Sequence, residues 1–201
     1  TYLSGAEYRI GFETDGREVF FNLKDPPASK EKRRVELLLG LAEALGGEKE
    51  GCEPEIFLTK EEINRASELL ISKGIGIDEL KIAIHPGAYY PSQRWKAERF
   101  GEIGRWVLEE YNAKVLLFGS QGEEDLLKKV KGVTGDGIYI FSGLKLREFM
   151  ALLSKCNLMV CNNSGPLHIA SALKIPTVSI IGPTVIPLWL PYGKNHIVLR
   201  R

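Results

Sequence analysis

Asn157-Leu158-Met159-Val160-Cys161-Asn162-Asn163-Ser164-Gly165-Pro166-Leu167-His168-Ile169-Ala170 reads as one strand, one tight turn and the start of one helix. Leu158 to Cys161 is an apolar run without polar alternation, the pattern of a strand covered on both faces. Asn163 or Ser164 can cap the helix that follows. Pro166 suits its first turn, where a missing N–H has no intrahelical use, and Gly165 lets another group approach the backbone closely. Such a helix start presents N–H groups and the positive end of the helix dipole, and a phosphate or pyrophosphate is the natural guest.

Outward from this unit, the same alternation of apolar run and amphipathic segment recurs. Strands are expected at 81–84, 114–118, 138–141, 157–161 and 176–181, with a further one at 196–199. Helices are expected at 97–111, 123–131, 146–155 and 165–173. In the first of these Phe100, Ile103, Gly104, Val107, Leu108 and Tyr111 fall on one face. The βαβα order predicts an α/β, Rossmann-like domain, a parallel sheet with helices on both faces. The preceding residues are organised differently. Glu18 to Leu23 has β character and ends at the breaker Asp25-Pro26-Pro27. A helix from Ser29 aligns Val35, Leu38, Leu39, Ala42 and Leu45 and stops at Gly46-Gly47. Thr59 and Glu62 have capping-box spacing and open a helix over about 60–73. The division is therefore residues 1–77 and a complete Rossmann-like domain over 78–201.

Composition narrows the function. The 201 residues are 44% hydrophobic and 26% charged, with 27 Lys plus Arg against 26 Asp plus Glu. Net charge +1 gives no basic footprint for nucleic acid. No stretch approaches the ~18 apolar residues of a spanning helix. The chain opens at Thr1 with neither an initiator methionine nor a signal sequence, so it is expected to be processed or a piece of something longer. Cys52, Cys156 and Cys161 lack C-x-x-C spacing, which points to a reducing, cytoplasmic setting and to thiols serving as small core hydrophobes.

Ligands of an open parallel sheet bind beyond the carboxyl ends of the strands. The loops expected there are His85 to Trp95, Gly119 to Glu123, Asn162 to His168, and Gly182-Pro183-Thr184. Neither G-x-x-x-x-G-K-[ST] nor G-x-G-x-x-G occurs, which speaks against P-loop hydrolysis and an ordinary dinucleotide site. By default His85 makes a structural hydrogen bond, Trp95 packs in the core, and Lys30, Lys32, Arg33 and Arg34 form a solvated face.

Taken together, His85-Pro86-Gly87-Ala88, Arg94-Trp95 with Glu98-Arg99-Phe100, Gly119 to Glu123, Asn162 to Ala170 and Gly182-Pro183-Thr184 resemble the carboxy-terminal half of glycosyltransferase family 9, which includes the ADP-heptose:lipopolysaccharide heptosyltransferases. Residues 1–77 more weakly resemble the end of that family's acceptor-side amino-terminal domain and its crossover helices. The resemblance implies a GT-B fold, two Rossmann-like domains facing a cleft, and transfer of a sugar from ADP-heptose to a lipopolysaccharide core acceptor with inversion. It implies no cofactor and no essential metal, in keeping with the absence of a D-x-D pair.

Carried over, Gly87 and Ala88 would cover the phosphates with Arg94, and Glu123, following Gly119, would accept from the ribose hydroxyls. Asn163, Ser164, Gly165, Pro166, Leu167 and His168 would put backbone N–H groups, and the His168 ring, on the pyrophosphate. Thr184 would close the other wall. The general base would lie in the amino-terminal domain, so no catalytic residue is assigned in this chain. Partners implied are an ADP-sugar and a lipid A–core acceptor, with peripheral contact to the inner-membrane surface. Gln93 stands where the family usually has lysine, Lys96 where it has proline, and Asn163 where it has an acidic residue, so Arg94 would supply the phosphate-site charge. The competing readings are a nucleotide-sugar epimerase-like protein and a non-catalytic nucleotide-sugar-binding module.

Overall fold

A computed structural model describes residues 2–13, 16–25, 32–183 and 186–200. Along the chain these form β1 (Ile10–Phe12), β2 (Leu23–Asp25), α1 (Arg34–Glu43), α2 (Lys60–Ser72), β3 (Lys81–His85), α3 (Ala97–Tyr111), β4 (Lys114–Gly119), α4 (Glu124–Thr134), β5 (Ile138–Ser142), α5 (Leu146–Leu153), β6 (Leu158–Asn162), α6 (Gly165–Ala172), β7 (Thr177–Ile181), α7 (Ile186–Trp189) and β8 (His196–Arg200). Two compact units result: Thr1–Glu53 with Thr184–Leu190, and Pro54–Pro183 with Pro191–Arg201.

In the first unit β1 and β2 pair in parallel, Ile10 opposite Leu23. The extended stretch expected over Glu18 to Leu23 does not form. Gly16 takes a left-handed conformation (φ 71°) and starts a 3-10 turn over Arg17–Phe20, which Phe21 N–H closes on Glu18 O at 3.1 Å. Val19 and Phe20 stay exposed, so their apolar character finds no buried face to pair toward. Strand pairing begins only at Leu23. Helix α1 ends as its glycines predict: Gly46 has φ 84° and Gly47 N–H returns to Ala42 O at 3.0 Å.

The second unit is a six-stranded, fully parallel sheet in the order β5-β4-β3-β6-β7-β8, the doubly wound arrangement that the alternation predicts. Alternation along each strand feeds two cores. Val115 and Leu117 join Ile84, Phe100, Val107, Leu127 and Val130 on one face, whereas Leu116 and Phe118 join Leu70, Phe141, Leu152, Met159 and Leu167 on the other. Helices α3 and α4 lie close together because two α3 glycines permit it. A Cβ on Gly101 would stand 2.5 Å from Val133 Cβ and 2.9 Å from Val130 O. Thr134 Oγ1 donates across this seam to Gly101 O at 3.2 Å.

Helix α2 opens on the expected reciprocal cap, with Glu62 N–H donating to Thr59 Oγ1 (3.2 Å) and Thr59 N–H to Glu62 Oε2 (2.8 Å). It is tied to α5 by a two-toothed ion pair, Arg147 Nε to Glu62 Oε1 and Nη2 to Oε2, both 2.6 Å. At the amino end of the sheet Lys81 is 2% exposed, and its Nζ donates to Ile77 O (2.7 Å), Gly76 O (3.1 Å) and Glu79 O. Cys156 and Cys161 are buried as expected, whereas Cys52 is only half-buried.

Candidate functional site

The winding of the sheet reverses between β3 and β6, and the crevice beyond their carboxyl ends is where such sheets bind ligands. Segments 86–96, 120–123 and 163–166 converge there. Asn162, fully buried at the end of β6, holds the first of them: its Nδ2 donates to Pro86 O at 2.7 Å, and its Oδ1 accepts from Trp95 N–H at 2.9 Å. Arg94 draws the same loop closed by donating from Nε to Ala88 O at 2.7 Å. Trp95, partly buried, packs edge to face on the core residue Phe100, 5.3 Å between centroids.

The resulting cleft has a volume of about 470 Å³. Ala88, Arg94, Glu123, Ser164, Gly165 and Pro166 line it together, joined by His85, Tyr89, Gln93, Ser120 and Gly122. Gly87 lies against the Glu123 carboxyl group, and Gly119 lines an adjoining recess of about 200 Å³. Asn163 is buried with its N–H on Ile180 O, and Leu167 is a core residue, fully buried. His168 is half-buried and absent from the cleft lining. Thr184 lies outside the described residues. Ser164 occupies the N-cap of α6, but its hydroxyl donates to Asn162 O at 3.4 Å and makes no cap bond to the first turn. A Cβ built on Gly165 meets nothing within 4 Å, which leaves open space in front of that helix start.

Ser120 N–H and Oγ both donate to Glu123 Oε2 at 2.8 Å. Burial pushes the Glu123 carboxyl up, but the two Ser120 bonds, with His85 and Arg94 beside it, hold it below the usual carboxylate range and therefore ionised. The recess is walled by Phe118, Phe141 and Phe149, with Phe118 stacked on Phe141 at 5.5 Å and edge-on to Phe149 at 5.2 Å. His85 and Ser120 line both cavities and so mark their junction.

His85 Nδ1 is buried without a hydrogen-bond partner. Burial holds this imidazole below its ordinary pKa against the pull of Glu123, so the ring is neutral at pH 7. Sequence reasoning missed Ser120, whose three-residue spacing to Glu123 is a visible capping signal, and it missed the aromatic recess, whose phenylalanines read as ordinary core.

The sequence profile of glycosyltransferase family 9 (heptosyltransferase) matches residues 1–201. Lipooligosaccharide heptosyltransferase 2 of Haemophilus influenzae is 28% identical over 125 residues, 59% of this chain and 36% of that protein. The chain thus spans about a third of the length of this curated relative. Among solved structures, glycosyl transferase family 9 from Veillonella parvula superposes with TM-score 0.82 at 24% identity, over 92% of this chain and 54% of that one. The Escherichia coli ADP-heptose lps heptosyltransferase II superposes with TM-score 0.78 at 20% identity, over 98% of this chain and 62% of that one. These two likenesses carry the fold, and the profile, which reaches from end to end, carries the family: the chain belongs to glycosyltransferase family 9.

Proposed function

We propose that this chain binds a nucleoside diphosphate sugar, ADP-heptose, and forms the donor side of an inverting heptosyltransferase that acts on a lipopolysaccharide core acceptor. The observation that carries the reading is the order of three surfaces along one continuous site: an aromatic recess, an ionised carboxylate, and a helix start beside Arg94 that the Ser164 hydroxyl does not cap. A nucleotide-sugar presents matching chemistry in the same order, with an apolar base face, vicinal ribose hydroxyls and a diphosphate. In this reading the base lies in the recess that Phe118, Phe141 and Phe149 wall, Glu123 accepts from the ribose, and the Gly165 end of α6 and Arg94 hold the diphosphate. The names of the Haemophilus and Escherichia relatives support the choice of sugar and acceptor.

Transfer then proceeds by attack of an acceptor hydroxyl oxygen on the anomeric carbon as the carbon–oxygen bond to the diphosphate breaks. ADP leaves with the electron pair, and the negative charge growing on it meets Arg94 and the α6 terminus. The acceptor proton requires a base. Glu123, the one carboxylate among the described residues that line the cleft, is committed to Ser120 and, in this reading, to the ribose, and the resemblance to the family puts the base in the acceptor-side half. The reading places the reaction in the cytoplasm, at the membrane surface where a lipid-linked acceptor is presented. No helix among the described residues is long and apolar enough to cross a membrane.

Isothermal titration of the chain with ADP, UDP and GDP tests the donor reading. ADP binds, and Gly165→Val or Glu123→Ala weakens it about tenfold or more, roughly 1.4 kcal/mol. Open space before Gly165 makes the first variant a clean one. Binding of none of the three nucleotides overturns the reading. Epimerised sugar formed without acceptor would identify an epimerase, and a full-length protein that binds ADP-heptose but transfers nothing would identify a binding module.

A further inference from the structure

A second depression, of about 550 Å³, opens at the carboxyl edge of the sheet and shares Arg94 with the nucleotide cleft. Its walls come from three parts of the fold. The β7–β8 register sets Arg200 beside Ile181, at the end of the last strand and next to Gly182. A Cβ on Gly182 would stand 2.9 Å from Ser92 O and 3.3 Å from Gln93 Cα, so two loops meet here backbone to backbone. Lys96, the N-cap of α3, supplies the third wall, and its side chain makes no cap bond to that helix.

Three cations, Arg94, Lys96 and Arg200, thus line one concavity, and no carboxylate lines it among the described residues. Among the described residues neither Lys96 nor Arg200 forms an ion pair. Like charges gathered in one concavity repel one another and create a potential that concentrates anions. A guanidinium fork beside a second guanidinium and an ammonium suits a tetrahedral dianion better than a planar, singly charged carboxylate.

We propose that this depression is an anion site for a phosphate carried by the acceptor. The proposal rests on the nucleotide reading of the neighbouring cleft: with the donor diphosphate there, Arg94 stands between two anions and sets the acceptor phosphate one side chain away from the leaving group. Lys96 and Arg200 then hold the acceptor without touching the donor.

The test is amide NMR on the ADP-saturated chain titrated with inorganic phosphate. The amides of Ser92, Lys96 and Gly182 shift along a saturable curve, while those of Ser120, Gly122 and Gly165 keep their ADP-bound positions. The Lys96→Ala/Arg200→Ala variant loses the response and keeps its ADP affinity within about twofold, since both side chains are exposed and outside the cleft lining. Glucose 1-phosphate reproduces the shifts and glucose does not. Silent Ser92 and Gly182 amides overturn the proposal. So do amides that ADP alone already moves and phosphate moves no further, which would give the depression to the donor diphosphate. If ADP itself fails to bind, the nucleotide reading falls, and phosphate titration of the free chain still decides the site through the same amides: a shift retains it and no shift removes it.

Discussion

The Glu123 carboxyl group occupies the space that a side chain on Gly87 would need: a Cβ built on Gly87 stands 2.7 Å from Glu123 Cδ. The two residues come from successive strand-to-helix loops, after β3 and β4, so a glycine in one loop lets the other loop's carboxylate reach the cleft. Gly87 is outside the left-handed region, and alanine there adds no backbone strain. Gly87→Ala should therefore displace the Glu123 side chain and lower ADP affinity about tenfold, with the fold retained. In calorimetry the Gly87→Ala/Glu123→Ala double variant should bind no more weakly than Glu123→Ala alone. Additive losses would show that Gly87 acts through something other than Glu123.

Asn162 should be the main anchor of the loop over the cleft. Asn162→Ala leaves Pro86 O and Trp95 N–H without their partner, and an unsatisfied buried polar group costs about 1–3 kcal/mol. Urea denaturation should show a loss of roughly 2–6 kcal/mol, on the same per-group basis, together with weaker ADP binding. A variant as stable as the parent would place the anchor elsewhere.

Acid should loosen the union of α2 and α5. The Arg147 bonds to Glu62, with the Thr59 amide, lower its carboxyl from 4.5 to about 2. A carboxyl depressed by folding adds stability above its unfolded pKa and loses it as pH falls through the folded one. The contribution is complete above about pH 4.5 and disappears between there and about pH 2. Thermal melts from pH 6 to 2 should show a steeper decline in the parent than in Glu62→Gln, and parallel curves would deny the pair a role.

The α3–α4 seam should be intolerant of a single methyl group. Gly101→Ala places a Cβ against Val133 and the Val130 carbonyl, and overpacking of this kind costs about 1–3 kcal/mol even though alanine is the better helix former. Gly132→Ala, on α4 with nothing within 4 Å of the added carbon, should be neutral or slightly stabilising. Equal melting temperatures for the two variants would contradict the close approach.

The strand-to-helix alternation was readable because a sheet covered on both faces needs apolar runs, and the runs ending at Phe118, Phe141 and Cys161 form strands within one residue of their expected bounds. Glu18 to Leu23 misled because β propensity without a buried face does not hold a strand, and Gly16 turns the chain first. The cleft's polar rim was legible from loop composition. Its aromatic recess was not, because Phe118, Phe141 and Phe149 obey the same periodicity whether they fill a core or wall a cavity. Asn162 was opaque for another reason: its partners lie 67 and 76 residues away, and no local pattern encodes them. Lys81 heads the expected strand 81–84, and nothing in the local pattern signals that the fold buries it under three carbonyls.

The thiols of Cys156 and Cys161, buried beside and within β6, have a consequence for how this protein comes apart. Burial pushes both up to about 12, so in the folded sheet they are neither ionised nor reachable by an alkylating reagent. They become reactive only when the sheet opens, which makes the rate of their modification a built-in clock for its breathing. A bound nucleotide that bridges β3, β4 and β6 should slow that clock in proportion to its occupancy, turning two inert core residues into a gauge of ligand-induced cohesion.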